Sequence, residues 1–219
     1  MKLIRQDHKI EYIQPNILGH LEMAARNCYK SEDKITEGSA EKLISSIIKK
    51  GHLSILEHSF MTVRLITNRA VSHQLVRHRT GIVFSQESQR YCTYKGHIQF
   101  IMPERLETLR KYVDSVFSQK MEHIYEVSEV GTYWVNCCIQ IENMYHNLLK
   151  MNLPAEDSRG VLGNDAKTEI IVTANLREWR YIFDLRTSKK CQYNMRVLMS
   201  NLLADAKKCV PLVFDDIGD

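Results

Sequence analysis

Between residues 16 and 30 apolar side chains recur at helical spacing, with Ile17, Leu21 and Ala24 on one face of an amphipathic helix. Residues 39–50 repeat the pattern with Leu43, Ile47 and Ile48, and Gly51 supplies a C-terminal stop. The period then changes. In SFMTVRLIT (59–67), Phe60, Thr62, Arg64 and Ile66 alternate with Met61, Val63 and Leu65, and this alternation of strand-forming residues predicts a strand. Asn68 can cap a helix running to about Arg79. A short strand is predicted at 97–102, ending at Pro103, followed by helical stretches over 104–120 and 122–150. In the last third, the β-branched density of 166–176 predicts a strand, and 177–186 and 191–208 read as helices. The pattern predicts an α+β fold: one helix-rich domain over residues 1–219, with a small, mostly antiparallel sheet covered by helices.

Composition narrows the class. The chain is 44% hydrophobic and 26% charged, as in ordinary globular proteins. At this length folding buries about 70% of the unfolded surface, so neither disulfides nor a metal is needed for stability. No apolar run approaches the roughly 20 residues of a membrane span. The opening MKLIRQDHKIEY turns charged too early for a signal peptide, so a cytoplasmic protein without a membrane partner is expected. Only four prolines occur, and no Gly/Ser linker or repeat divides the chain. Cys28, Cys92, Cys137, Cys138, Cys191 and Cys209 form no CxxC pair and are expected as reduced thiols. A net charge of +4 does not by itself call for nucleic acid. Where the charges cluster matters more.

Arg69, His73 and Arg77 fall at i, i+4 and i+8 and would share one face of the predicted helix, with Gln74 and His78 as a second polar row. The chain continues RHRTGIVFSQESQRY (77–91), adding Arg79, Ser85, Gln86, Ser88 and Arg90. Guanidinium forks beside hydroxyl and amide donors match phosphate oxygens two at a time. The plainer alternative is a solvated basic helix end followed by a polar loop. Against it, Ile82, Val83 and Phe84 should draw the loop inward, and buried cations require an anionic partner. A nucleic-acid face is a further alternative, with only Phe84 and Tyr91 available for stacking.

RHRTGIVFSQESQRY resembles the signature of the flavin-dependent thymidylate synthases, an RHR triplet followed by a serine and then Arg-Tyr. Here Thr80 to Glu87 separate the triplet from Ser88, one residue more than the family's usual spacing. Upstream, GHLSILEHSF (51–60) resembles the family's Gly-His-x-Ser/Thr…Glu-His segment. Downstream, SRGVLGNDAKTEIIVTANLREWRYIFDLRTSKKCQ (158–192) resembles its second conserved region, with Gly163 where proline is frequent and Tyr181 and Lys190 where relatives carry Asn and His.

The resemblance implies an FAD enzyme that methylates dUMP to dTMP, with 5,10-methylenetetrahydrofolate as carbon donor and NADPH as reductant, working as a homotetramer with shared sites. It implies Arg186 as the residue that activates the dUMP ring. Gln74, Arg77, Gln86, Glu87, Ser88, Arg90 and Arg159 would grip the nucleotide with it. FAD contacts would come from His52, Ser54, Arg77, His78, Arg79, Gln86, Asn175, Leu176, Arg177, Tyr181 and Lys190. The absence of GxGxxG fits phosphates held by side chains rather than a Rossmann turn. No metal is expected, because His52, His58, His73 and His78 lack ligand spacing. Cys191 reads as packing and Ser88 as a phosphate ligand, since neither has a neighbouring base in the sequence. Two alternatives remain: a related methylase of another uracil nucleotide, and a non-catalytic nucleotide- or RNA-binding module.

Overall fold

The computed structural model describes residues 1–94, 96–106 and 128–218. In chain order its elements are β1 (Lys2–Ile4), β2 (Asp7–Ile13), α1 (Ile17–Asn27), α2 (Ser39–Lys49), β3 (Phe60–Asn68), α3 (Arg69–Leu75), β4 (Ile82–Gln86), β5 (Gln99–Ile101), α4 (Glu129–Lys150), α5 (Ala155–Ser158), β6 (Lys167–Asn175), α6 (Leu176–Thr187), α7 (Tyr193–Cys209) and α8 (Pro211–Phe214). This is the helix-rich α+β class expected from the sequence. Four strands form one sheet in the order β2-β3-β6-β4, while β1 pairs in parallel with β5, Lys2 opposite Gln99. Flanking backbone bonds mark the larger sheet as antiparallel, joining Gln14 to Phe60, Leu176 to Ser59 and Asn175 to Gly81. Among the described residues no helix is long and apolar enough to cross a membrane.

The chain divides into two compact units. The first comprises residues 1–7, 65–75 and 86–170. Its core gathers Ile98, Phe100, Cys138, Tyr145 and Ala166. Burial pushes the Cys138 thiol up to about 12, so it behaves as an inert apolar side chain. Asn68 caps α3 as its position before the helix suggests, its Oδ1 accepting from the Val71 N–H at 2.9 Å.

The second unit comprises residues 8–64, 76–85 and 171–219. Here α6 packs against α7 and against the short turn Leu53–His58. Leu176, Trp179, Ile182 and Phe183 fall on one stripe of α6 and are fully buried. The Trp179 ring stacks on Phe183, whose ring meets Phe214 edge-on, and its indole N–H donates to the Met61 carbonyl at 2.9 Å.

Several boundaries differ from the sequence reading. The helix after Asn68 ends at Leu75 instead of Arg79, so Arg77 does not share a helical face with Arg69 and His73. Residues 82–86, read as a loop, form β4, where Ile82, Phe84 and Gln86 are half-buried and Val83 is exposed. The strands β1 and β2 were hidden by their charges: in β2 the exposed Asp7, Lys9 and Glu11 alternate with half-buried His8 and Ile10. The helix expected over 122–150 is seen from Glu129, where the Ser128 hydroxyl accepts from the Gly131 N–H at 3.2 Å. Its residues 122–127, and most of the helix expected over 104–120, lie outside the described residues.

One junction positions the residues of interest. Asn175 ends β6 and caps α6, its Oδ1 accepting from the Glu178 N–H at 2.8 Å. Its own backbone N–H donates to the Gly81 carbonyl at 3.0 Å. Gly81 has φ +62°, and a Cβ there would lie 2.0 Å from Asn175 Nδ2. Both the left-handed backbone and the close approach require glycine. Gly81→Ala is therefore expected to destabilise the protein by about 1–3 kcal/mol, read as a lowered denaturation midpoint.

Candidate functional site

The strand-to-helix junction brings His78, the centre of the RHR triplet, against α6. His78 is buried in the second unit, with 5% of its surface exposed, between Glu178 and Arg186. The Arg186 Nε–H can only donate, so His78 Nε2, 3.1 Å away, must accept. The ring proton is thereby assigned to Nδ1, which donates to Glu178 Oε1 at 3.0 Å. Burial, aided by the Arg186 charge, pushes the imidazole down to about 4. The ring is therefore neutral near pH 7, and its contact with Glu178 is a hydrogen bond rather than an ion pair. Burial raises the Glu178 carboxyl above its ordinary range. Tyr181, largely exposed, meets the imidazole edge-on with ring centroids 5.6 Å apart.

Glu178 and Tyr181 also line a pocket of about 690 Å³ with Leu53, Thr80, Asn175 and Arg177, together with Glu57, Arg180 and Asp216. Its volume lies within the range of cofactor sites. Of the expected flavin residues, Asn175, Arg177 and Tyr181 meet in this pocket. The donor chemistry of Thr80 and Arg177 beside the exposed Tyr181 ring fits a flat aromatic group carrying polar substituents. Two cations are balanced by carboxylates: Arg177 on Glu57 at 2.6 Å, and Arg180 bidentate on Asp216 at 2.6 and 2.7 Å. The Leu176 side chain is fully buried in the core. Arg77, Arg79, His52, Ser54 and Lys190 belong to the same unit and are exposed.

The remaining expected nucleotide residues fall in the first unit. The Gln86 amide is held inward, donating at 3.0 Å to both Ser72 Oγ and Thr168 Oγ1. Gln74 donates to the Ala70 carbonyl at 3.1 Å. Glu87 is engaged by Lys167 at 2.9 Å, and Lys167 also meets Glu169 at 3.3 Å. Burial alone would lower the Lys167 ammonium, but its bonds to the two carboxylates prevail and raise it. Ser88 Oγ accepts from the Arg90 N–H at 3.3 Å, closing the turn. Arg90 and Arg159 converge on one residue: Arg90 Nε lies 2.6 Å from the Glu156 carboxylate, and Arg159 Nε donates to the Glu156 carbonyl at 2.9 Å. Arg77, Arg79 and Arg90 are exposed in the single chain, so the buried cation cluster expected from the sequence does not form there.

Sequence reasoning missed Glu178, Lys167 and Glu156. A signal for Glu178 was present, because it stands four residues before Ile182 on the apolar stripe of α6, where a charge requires a partner. Lys167 and Glu156 gave no such signal, since each joins a near neighbour, Glu169 or Arg159, to a partner remote in the chain, Glu87 or Arg90. Among the described residues no three His, Cys, Asp or Glu side chains gather as metal ligands.

A family model described as thymidylate synthase complementing protein matches residues 10–212. The chain is 33% identical to the flavin-dependent thymidylate synthase of Geobacter sulfurreducens over 204 residues, covering 90% of this chain and 80% of that protein. It is 31% identical to the enzyme of that name from Pyrococcus furiosus over 183 residues, covering 82% and 67% respectively. Against the one from Corynebacterium diphtheriae the identity is 28% over 213 residues, covering 96% and 82%. A UMP/dUMP methylase from Streptomyces cacaoi, crystallised with 5-Br dUMP, superposes with a TM-score of 0.76 at 20% identity, covering 98% of this chain and 96% of that one. This structural likeness shows a shared fold. The match over residues 10–212 and the identity to these relatives decide the family: the chain belongs to the thymidylate synthase complementing protein family, the flavin-dependent thymidylate synthases.

Proposed function

We propose that this protein methylates C5 of dUMP to give dTMP, taking its carbon from 5,10-methylenetetrahydrofolate and releasing tetrahydrofolate. The observation that carries the reading is Arg186, a guanidinium fixed through Nε on a buried neutral histidine. Carbon 5 of uracil becomes nucleophilic only as negative charge builds in the ring. A cation held in place before the reaction stabilises that charge without reorganising. FAD, reduced by NADPH, would supply the hydride, and the pocket containing Asn175, Arg177 and Tyr181 would hold it.

Arg90 and Arg159 are suited to the nucleotide phosphate. A phosphate offers more charge and more acceptor oxygens than the Glu156 groups on which the two arginines now meet. Gln86, Glu87 and Ser88 shape the turn that presents Arg90. The proposed assembly is a homotetramer.

Release of tritium from 5-tritiated dUMP, dependent on FAD, NADPH and methylenetetrahydrofolate, tests the reaction. Release from labelled UMP at the rate seen with dUMP would overturn the assignment of substrate. Arg186→Ala is expected to lower turnover by roughly 100-fold or more while flavin stays bound. A variant turning over at the wild-type rate contradicts the role given to Arg186.

His78 also has a consequence for stability. Its folded pKa of about 4 lies below the ordinary 6.5, so the unfolded chain binds its proton more readily. The contribution is complete above about pH 6.5 and is lost as pH falls toward 4. Glu178, raised by burial, acts in the opposite sense, so the raw curve mixes the two. Urea midpoints of wild type and His78→Gln separate them: the wild type is expected to lose more stability than the variant between pH 6.5 and 4.

A further inference from the structure

Glu178 is the third residue of α6, a position where an acid usually reaches back to the backbone N–H of the capping residue. That N–H belongs to Asn175 and is already bonded to the Gly81 carbonyl at 3.0 Å. Glu178 therefore closes no capping box. Its carboxylate turns to His78 Nδ1 at 3.0 Å, in surroundings that leave Glu178 8% exposed and His78 5% exposed. Burying a carboxylate is costly unless it is paired. The arrangement Glu178–His78–Arg186 meets that need by setting a negative group and a cation on opposite edges of one imidazole.

A carboxylate bonded to one imidazole nitrogen fixes both the ring's orientation and the tautomer at the other nitrogen. Without it, a neutral imidazole could carry its proton on Nε2 and would turn an N–H toward the Arg186 Nε–H. The two donors would then repel, and the guanidinium would lose its bond to His78. We infer that Glu178 is a positioning residue for Arg186: it holds the His78 proton on Nδ1, leaving Nε2 to accept from Arg186 Nε and fix the plane of the guanidinium. Tyr181, edge-on to the imidazole, is the remaining ring against it. This assignment rests on the proposal that Arg186 activates the nucleotide, but the device itself can be read independently of turnover.

The test uses flavin-loaded protein labelled with ¹⁵N in histidine and arginine. In wild type, His78 is expected to show a protonated Nδ1 and a bare Nε2, and the Arg186 Nε–H should be shifted downfield and protected from exchange. Glu178→Ala should lose both signatures and lower the rate of tritium release from dUMP roughly 10- to 100-fold, the range for removing a group that orients a functional one, with flavin still bound. Glu178→Gln keeps the side chain's size and serves where the alanine variant does not fold. Its rate should follow whichever tautomer its His78 spectrum reports. An Nε2-protonated His78 in wild type overturns the inference. So does a Glu178→Ala enzyme within twofold of wild type, or a Glu178→Gln enzyme with wild-type tautomer and the alanine variant's rate. If wild type releases no tritium, the dUMP reading fails, and the tautomer and Arg186 signals still decide whether Glu178 positions Arg186.

Discussion

The hydrogen bond from the Asn175 N–H to the Gly81 carbonyl is the contact on which the candidate site depends. It ends β6, frees the Asn175 side chain to start α6, and sets the end of the RHR triplet beside the first turn of that helix. Only a glycine fits, because a Cβ at residue 81 would meet the Asn175 amide. From this junction follow the burial of His78, its reach to Glu178 in the first turn, and its reach to Arg186 two turns later. A backbone contact thus sets the positions of three ionisable groups that are far apart in sequence.

Those groups are tolerated inside the protein because each has a partner. His78 stays neutral, and the charges of Glu178 and Arg186 balance across it. The same rule governs Lys167, which is held between Glu87 and Glu169. In both places a charged residue on a regular element bonds to a residue outside it, His78 before β4 and Glu87 after it. The solvent-facing arginines are different. Arg90 and Arg159 meet on Glu156 at the surface, where screening keeps the ion pair weak and an anion of higher charge can compete.

The apolar stripe of α6 shows how stability and chemistry share one helix. Leu176, Trp179, Ile182 and Phe183 face the core, and the Trp179 indole is tied to the Met61 carbonyl. This packing fixes the rotation of α6 about its axis. Glu178 lies at the border of the stripe and Arg186 continues it one turn beyond Ile182 and Phe183, so that rotation also fixes where they point.

The sequence by itself determined the elements with strong periodicity and clear caps: α1, α2, β3, β6, α6 and α7 stand within a few residues of where the pattern places them. It also carried the family, because RHRTGIVFSQESQRY and the 158–192 segment are linear signatures that survive without coordinates. It did not reveal β1, β2 or β4, where charged or loop-like residues mask an alternation that only pairing with neighbouring strands makes visible. Nor did it place the cations: Arg77, Arg79 and Arg90 read as a buried cluster and are exposed in the chain. Glu178, Lys167 and Glu156 each have a partner remote in the sequence: His78, Glu87 and Arg90. Periodicity and capping are local and can be read from neighbours along the chain. Partner choice for a buried charge depends on which distant backbone the fold brings within hydrogen-bond reach, and only the tertiary structure decides that.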